Sequence, residues 1–487
     1  MRLTYLVYTL SLAMMYFSIV LLIPIIVALI YNESQAILPF IISGTSALLI
    51  GVTMRKLFPS TSQIKTINDI KKSEGLCAVT LCWIFAGIFA SIPYLFFNLS
   101  PINAFFEGTS GITATGATIL TNFDYPKALF FWRSFTQWLG GMGIIVLFIA
   151  ILPQFAIAGR QLFFAETPGP TEEKFTPRIK NTASSLWKIY FGMTLLEIIL
   201  LKFNGVTLFD SICHSFSSVS GGGFSPNPES LIGNSYPVLW IVCFFMFCAG
   251  ASYNLQYRAW TKFNPLVLFK NEEFKTYFII IIGLSSLLVL SLLAHSNYNI
   301  QESITHAFFQ ISSLISSSGF CSVDFTNWDY SSKAILLLAM LAGSCASSAG
   351  GGIKIVRWLL ILKIMKAELA KVLHPKAIYN IKIGKYSVTK DILYQTLMFV
   401  SFYLAILVIS GFIIAILEQN TTVGISSAVS ALGNIGPGLS KIIGPLGHYN
   451  NLHEVSKFIF TIDMYIGRLE LIPFLILFQK ELWILHK

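Results

Sequence analysis

The chain has 487 residues, of which 55% are hydrophobic and only 11% charged. Soluble domains carry about 25% charged residues, so this composition excludes a large soluble domain and indicates a polytopic helical membrane protein. The net charge of +10 does not indicate nucleic-acid binding, because the basic residues are concentrated in short loops between apolar segments.

Apolar segments long enough to cross about 30 Å of hydrocarbon recur along the whole chain. Two come first, at 4–31 and 36–53, and we interpret them as retained helices because no small-residue cleavage site follows. Four larger units follow, each with two long helices around a short apolar segment. The predicted long helices are 75–98 and 127–156, 183–203 and 236–260, 275–295 and 332–370, and 388–417 and 455–484. The corresponding divisions of the chain are 1–72, 73–158, 159–262, 263–376 and 377–487.

Four loops carry most of the lysine and arginine, and the positive-inside rule predicts that they are cytoplasmic. They hold Arg55, Lys56, Lys65, Lys71 and Lys72; Arg160, Lys174, Arg178, Lys180 and Lys188; Arg258, Lys262, Lys270 and Lys275; and Lys363, Lys366, Lys371, Lys376, Lys382 and Lys385. The segments between them, such as 320–330, are predicted to be external. We expect both chain termini in the cytoplasm.

Seven cysteines occur, an odd number, without any Cys-x-x-Cys pair and mostly in apolar segments. A disulfide or zinc framework is therefore not expected.

The four short apolar segments are 102–112, 208–219, 302–314 and 423–433. They are too short to cross a membrane, so we predict that they are re-entrant. A loop rich in Gly, Ser and Thr follows each segment, and the four loops align on one glycine with a serine six positions before it. The aligned glycines are Gly116, Gly223, Gly319 and Gly436, and the serines are Ser110, Ser217, Ser313 and Ser430.

Four such loops around one axis would shield their polar backbone from lipid and line water instead. We predict a cation filter, in which backbone carbonyls replace the hydration shell of the ion and glycine supplies positive φ. The expected ligands are Ala114, Thr115, Gly116, Gly221, Gly222, Gly223, Ser317, Ser318, Gly319, Asn434, Ile435 and Gly436. No acidic residue lies in the four stretches, which favours a weakly hydrated monovalent ion. The alternative, close helix packing through small residues, does not explain the fourfold register.

Seven short motifs stand out along the chain. They are Thr-Ala-Thr-Gly-Ala-Thr (113–118), Gln-Trp-Leu-Gly-Gly-Met-Gly-Ile (137–144), Ser-Gly-Gly-Gly-Phe-Ser (220–225), Ser-Ser-Gly-Phe (317–320), Ala-Gly-Gly-Gly-Ile-Lys-Ile-Val-Arg (349–357), Leu-Gly-Asn-Ile-Gly-Pro-Gly (432–438) and Gly-Arg-Leu-Glu (467–470). Together they resemble the motifs of Trk-type potassium uptake membrane subunits, in the superfamily that includes Ktr and plant HKT transporters. The two extra N-terminal helices favour the Trk branch.

The resemblance implies an all-α membrane protein with four helix–pore loop–helix repeats around one pore, in a bacterial inner membrane. It implies a homodimer in lipid, with a TrkA-like cytosolic ring that binds ATP, ADP or NAD, and no cofactor on this chain beyond the transported potassium. Serine at the first filter glycine accompanies sodium permeation in the family, so Gly116 favours potassium. Gly221, Gly433 and Ile435 depart from the usual residues and leave fine selectivity open.

Two further features are assigned to gating by the resemblance. The stretch 343–354 interrupts the predicted helix 332–370, and the resemblance implies a gating loop at Ala349, Gly350, Gly351 and Gly352, with Lys354 at its edge. The alternative is a glycine-kinked helix with Lys354 extending to the cytoplasm. Arg468, an intramembrane charge, is implied to set the barrier to ions beneath the filter. Its alternative, which is compatible with the first role, is an ion pair with Asp463 or Glu470.

Other function classes are less favoured. Gly108-Thr-Ser-Gly111 matches the motif of rhomboid-type proteases, and Ser110 would then need His214 or His306 as a base. A secondary solute transporter would bind its substrate at broken helices, but such folds have two large inverted repeats. A sodium-permeable or cation-coupled variant of the same pore stays open.

Overall fold

The computed structural model describes residues 3–58, 72–151, 176–376, 379–384 and 386–480. Regular structure in these residues is helical, apart from one small antiparallel hairpin formed by Lys382–Ile383 and Tyr386–Ser387. Several predictions concern residues outside these ranges. They are the loop positions Lys65, Lys71, Arg160, Lys174 and Lys385 and the predicted helix ends 152–156 and 481–484.

The two N-terminal helices, Leu3–Ile30 and Ser34–Leu57, form an antiparallel pair. Glu33, in the turn between them, accepts hydrogen bonds from the backbone N–H groups of Lys127 (2.8 Å) and Ala128 (3.0 Å). Its carboxylate therefore caps the first turn of a helix in the next unit, where negative charge is favourable. This contact fixes the N-terminal pair against the rest of the protein.

Four units follow, and each contains a short helix between longer ones. The short helices are Pro101–Ile112, Leu208–Ser220, Ile300–Ile315 and Thr421–Gly433. The flanking helices are Lys72–Leu95 and Lys127–Ile151; Thr176–Phe203 and Tyr236–Gly250 with Tyr253–Thr261; Glu272–His295 and Tyr330–Ala342 with Ile355–Leu373; and Lys390–Leu417 and Glu454–Arg468. A single turn, Leu266–Phe269, precedes the third unit, and short turns at Ile472–Leu475 and Ile476–Phe478 follow the fourth. We number the short helices 1 to 4, and call the loop after each one return loop 1 to 4 (113–120, 221–226, 316–322 and 434–439).

Each short helix begins at a capping side chain, which explains why its start could be predicted. The residue before the helix accepts a hydrogen bond from a backbone N–H in the first turn. The four caps are Ser100, Thr207, Asn299 and Asn420. The structure confirms the four predicted short helices to within about two residues at each end.

The predicted helix 236–260 is wrong, because the chain bends by 104° between Tyr236–Gly250 and Tyr253–Thr261. The bend frees backbone carbonyls, and these find other donors. The Gln256 side chain donates to the carbonyls of Cys248 (2.7 Å) and Ala251 (3.1 Å), and the Cys345 N–H donates to Gly250 (2.9 Å). The break is therefore stabilised by Gln256, a few residues along the chain, and by Cys345, which is distant in sequence.

Two more predicted helices are interrupted. Helix Lys127–Ile151 is kinked at Gly143, where φ is 74° and ψ is 133°. The predicted helix 455–484 is wrong: the helix ends at Arg468, since Glu470 and Leu471 have φ of 58° and 63° and cannot continue a right-handed helix.

The long helices surround the short ones. Five described helices are long and apolar enough to cross a membrane, and the bent pair that begins at Tyr236 would make a sixth. Helix Glu272–His295 exposes apolar side chains such as Ile279, Leu287 and Leu290, as a lipid-facing surface would. The short helices are largely buried, so their ends and the return loops are shielded from lipid.

Candidate functional site

The four return loops pack against one another in a closed ring. Each aligned glycine lies against the carbonyl oxygen of the residue that precedes the aligned glycine of another loop, and an added Cβ would collide with that oxygen. The four pairs are Gly116 with Gly222, Gly223 with Ser318, Gly319 with Ile435, and Gly436 with Thr115. The order therefore runs from loop 1 through loops 2, 3 and 4 back to loop 1. Glycine is required here by close backbone contact as well as by conformation.

The backbone conformation also repeats in the four loops. The aligned glycine has positive φ, and so does the residue two positions before it. The φ values are 52° and 82° at Ala114 and Gly116, 68° and 76° at Gly221 and Gly223, 59° and 71° at Ser317 and Gly319, and 51° and 104° at Asn434 and Gly436. Positive φ at three non-glycine residues is uncommon, and its recurrence at one aligned position shows that the loops share one geometry.

The first of these positive-φ residues ends its short helix in a Schellman motif. The N–H of the next residue reaches back to the carbonyl of the recurring serine at 2.8 to 2.9 Å. The donors are Thr115, Gly222, Ser318 and Ile435, and the acceptors are Ser110, Ser217, Ser313 and Ser430. The serine register therefore marks the helix end.

The candidate histidines of the protease interpretation do not contact Ser110. His214 Nε2 lies 3.1 Å from Ser225 Oγ, and His306 Nδ1 lies 2.9 Å from Ser322 Oγ. Both rings bond to hydroxyl groups in their own repeats. The described residues thus give Ser110 no histidine as a base.

Two cavities flank the ring. One, which we call the outer cavity, is lined by all four aligned glycines and by neighbouring residues that include Phe224 and Tyr449. The other, which we call the inner cavity, is lined by residues 347–352 and by Lys354, Gly467 and Arg468. Its volume is about 120 Å³, several times the space that one water molecule needs.

The stretch 343–354, which we call the intramembrane loop, separates Tyr330–Ala342 from Ile355–Leu373. Its backbone is hydrogen-bonded to neighbouring elements: Cys345 N–H to Gly250 (2.9 Å) and Ala349 N–H to Ala249 (3.1 Å). The predicted interruption is confirmed, and its non-helical backbone does not fit the alternative of a kinked helix.

The intramembrane loop lies directly against return loops 3 and 4. The Gly351 N–H donates to Ser317 Oγ at 2.7 Å, and a Cβ at Gly351 would collide with the Gly433 carbonyl. Lys354 is only 5% exposed, and its Nζ donates to the Gly350 carbonyl at 2.6 Å. Lys354 thus faces its own loop instead of extending to the cytoplasm, contrary to the alternative.

Arg468 lies beneath the ring and joins two elements. Its guanidinium donates to the carbonyls of Ala349 (2.8 Å) and Gly141 (2.9 Å), and also to that of Gly140. Glu470, one partner that the ion-pair alternative proposed, binds Arg357 at 2.5 Å. Arg468 therefore connects the intramembrane loop to the kinked helix of the first unit.

Sequence reasoning missed the side chains that hold the return loops from behind. Gln137 and Arg133 contact loop 2, and Glu107 binds Arg133. Asn434, predicted as a backbone ligand, also donates from its side chain to Thr115 Oγ1 (3.0 Å) and to the Met464 carbonyl (2.9 Å). The sequence contained one signal for these side chains, because Arg133 and Gln137 lie one helical turn apart in a largely apolar helix.

Comparisons with known proteins agree with this geometry. A family model described as "TrkH: Cation transport protein" matches residues 72–483. The chain is 34% identical to the Trk system potassium uptake protein TrkH of Vibrio parahaemolyticus and 35% identical to that of Escherichia coli K12, over 96% of each chain. The crystal structure of the potassium transporter TrkH from Vibrio parahaemolyticus superposes with a TM-score of 0.88 at 30% identity, covering 99% of this chain and 100% of that one. Since the sequence match spans most of the chain and the fold match nearly all of it, the protein is a member of the TrkH family of cation transporters.

Proposed function

We propose that this protein takes up potassium through a pore whose filter is the ring of four return loops. The observation that carries the proposal is the closed order of contacts between the aligned glycines and the preceding carbonyls, with a cavity on either side. Members of its family are ion transporters and not enzymes, and relatives named as potassium uptake proteins match it over 96% of their length. Four loops in one ring favour a pore over a solute site between two inverted halves.

Backbone oxygens would hold the ion. The twelve residues at the three positions ending in each aligned glycine supply the carbonyls: Ala114, Thr115, Gly116, Gly221, Gly222, Gly223, Ser317, Ser318, Gly319, Asn434, Ile435 and Gly436. The carbonyls of Thr115, Gly222, Ser318 and Ile435 occupy matching places in the ring. Carbonyl dipoles without a carboxylate suit a weakly hydrated alkali cation. Because the ring keeps Gly116, potassium is the favoured ion.

The short helices would assist electrostatically. All four end at the ring, so their C-terminal carbonyl ends lie next to the proposed ion sites. The partial negative charge at a helix C-terminus favours a cation within about one turn. At the other end of each helix, a capping side chain accepts a hydrogen bond from a backbone N–H group of the first turn. The negative end of each helix dipole is therefore the end that lies at the ring.

The intramembrane loop would act as the gate. Residues 349–352 line the inner cavity together with Lys354 and Arg468, so an ion leaving the ring meets two positive side chains. Arg468 and Ser317 hold the loop in place through Ala349 and Gly351. Opening requires these hydrogen bonds to break or exchange.

Replacing Ser317 with alanine tests this gate. The variant removes the acceptor for the Gly351 N–H, and we expect potassium flux to rise about fivefold, since one hydrogen bond contributes about 1 kcal/mol. The strained backbone tolerates alanine, because Ala114 occupies the equivalent position with φ of 52°. Flux is measured as potassium-dependent current in planar bilayers.

Ser348→Ala is the matched control for this measurement. Ser348 Oγ donates to the Cys345 carbonyl at 2.6 Å and lies 2.9 Å from Ser344 Oγ, both within the intramembrane loop. Its loss should leave the flux unchanged. An equal rise in both variants would show that general loosening of the loop, and not the contact with Ser317, is responsible.

The assembly follows the family. We propose a homodimer in the bacterial inner membrane, with both termini in the cytoplasm and a nucleotide-binding cytosolic subunit that controls the gate. Exposed basic side chains at helix ends, such as Arg258 and Lys371, are consistent with this orientation. Nucleotide would bind to the partner subunit, and potassium is the substrate of this chain.

The function is tested in cells that lack their own potassium uptake systems. Expression of this protein together with its regulatory subunit should restore growth at low potassium and the uptake of rubidium tracer. Reversal potentials in proteoliposomes under separate potassium, sodium and proton gradients would then distinguish a potassium pore from a sodium-permeable or coupled variant. Absence of potassium or rubidium uptake by correctly inserted protein would refute the proposal.

A further inference from the structure

Return loop 2 differs from the other three in that none of its three filter residues has a side chain with which to fix the loop. These first three residues of the loop are Gly221, Gly222 and Gly223. Loop 1 has a hydrogen bond between Thr113 Oγ1 and Thr115 Oγ1 at 2.7 Å. Glycine has more conformational freedom than any other residue, so loop 2 needs to be held by groups outside it.

The other two loops are also held by their own side chains. In loop 3, Ser316 Oγ and Ser318 Oγ are 3.1 Å apart. In loop 4, the Asn434 side chain donates to Thr115 Oγ1 and to the Met464 carbonyl. The glycine run is therefore the least self-supporting quarter of the ring.

Gln137 binds the backbone of loop 2 on both sides of its aligned glycine. Its Nε2 donates to the Gly222 carbonyl at 2.7 Å, and its Oε1 accepts from the Phe224 N–H at 2.9 Å. The side chain is fully buried. Gly223 is thus fixed between two hydrogen bonds from one amide group, and the Gly222 oxygen keeps a second lone pair for a cation.

Arg133, one helical turn before Gln137, continues the contact outward. It donates from Nη1 to the Ser225 carbonyl at 3.1 Å, and its guanidinium lies 4.1 Å from the centre of the Phe224 ring. Glu107 of short helix 1 holds the guanidinium through Nε at 2.8 Å, with both side chains almost completely buried. A buried and hydrogen-bonded pair of this kind fixes position strongly.

We propose that Gln137 and Arg133 are positioning residues that determine ion discrimination by fixing the carbonyls of the glycine run. This inference rests on the proposed function of the ring as a potassium filter. Whether discrimination arises from cavity size or from the field of the dipoles, it depends on where the carbonyls are held. Loss of the two Gln137 bonds would let loop 2 move toward a smaller ion.

The decisive experiment is the ratio of potassium to sodium permeability, measured from bi-ionic reversal potentials in proteoliposomes. Gln137→Met keeps nearly the same side-chain length and volume but removes both hydrogen bonds. We expect the ratio to fall about tenfold, the factor that corresponds to the net free energy of one or two hydrogen bonds. A role in packing alone would leave the ratio unchanged.

Gln256→Met is the matched control. Gln256 likewise makes two amide hydrogen bonds to backbone, donating to the carbonyls of Cys248 and Ala251, and neither carbonyl belongs to a return loop. Its loss should leave the permeability ratio at the wild-type value. An equal fall in both variants would overturn the proposal, because general loosening would then explain the effect.

A second variant decides the question if Gln137→Met does not insert into the membrane. Arg133→Lys keeps the positive charge beside Glu107 but cannot reproduce the fork of donors, so the ratio should again fall. An unchanged ratio in the variant that inserts overturns the inference. A wild-type protein that conducts no potassium would instead refute the proposed function itself.

Discussion

Alanine at Gly223 is expected to reduce potassium uptake about a hundredfold. Gly223 has φ of 76°, and an added Cβ would overlap the Ser318 carbonyl oxygen. A non-glycine residue in a disfavoured conformation costs about 1 to 3 kcal/mol, and each 1.4 kcal/mol is about tenfold in rate. The overlap adds to this cost, because the Ser318 carbonyl can move only by opening the ring between loops 2 and 3. Uptake is measured with rubidium tracer at matched levels of inserted protein.

Gly233→Ala separates the overlap from the strain. Gly233 has φ of 80°, close to that of Gly223, but no atom lies within 4 Å of its added Cβ. Gly233→Ala therefore introduces similar backbone strain without any steric overlap, and this control should retain most of the uptake. Comparable losses in the two variants would mean that strain alone is responsible and that the contact between loops 2 and 3 carries no special function.

The elements nearest the proposed filter could be predicted because their signals are local. Each short helix starts at a capping residue, and each return loop contains its glycine at a fixed distance from a serine. The reason for the glycines could be predicted only in part. Positive φ follows from residue type, but the contact of Gly116 with the Gly222 carbonyl depends on two repeats about a hundred residues apart.

The bend within the predicted helix 236–260 has a similar explanation. One carbonyl that the bend frees, that of Gly250, is satisfied by Cys345, which lies far along the chain. Gln137 likewise looks like one polar residue in an apolar helix until loop 2 is placed beside it. Hydrogen bonds between distant residues thus help to stabilise such features, and a single sequence does not state them.

Removing the Arg468 side chain is expected to raise potassium flux at least about tenfold and to reduce the dependence of this flux on the proposed regulatory subunit. Arg468→Ala deletes the hydrogen bonds to Ala349, Gly140 and Gly141, which connect the intramembrane loop to the kinked helix. Hydrogen bonds to a charged group contribute about 1.5 to 3 kcal/mol, so losing one of them already shifts a closed–open equilibrium by tenfold or more. The variant also removes a positive charge from the inner cavity, which lowers the barrier to a cation there. Both effects act in the same direction on the current measured in planar bilayers.

A purely structural role for Arg468 predicts the opposite outcome. If the guanidinium only holds helices together, its removal should lower the amount of folded protein and leave the flux per molecule unchanged or reduced. Arg468→Lys is an intermediate test, because an ammonium group keeps the charge but cannot bridge Ala349 and Gly141 as the planar guanidinium does. The flux of this variant should lie between those of the wild type and Arg468→Ala. Arg258→Ala, at an exposed basic residue, should behave as wild type. A low and regulator-dependent flux in Arg468→Ala would contradict the gate, since the loop would then stay closed without the side chain proposed to hold it.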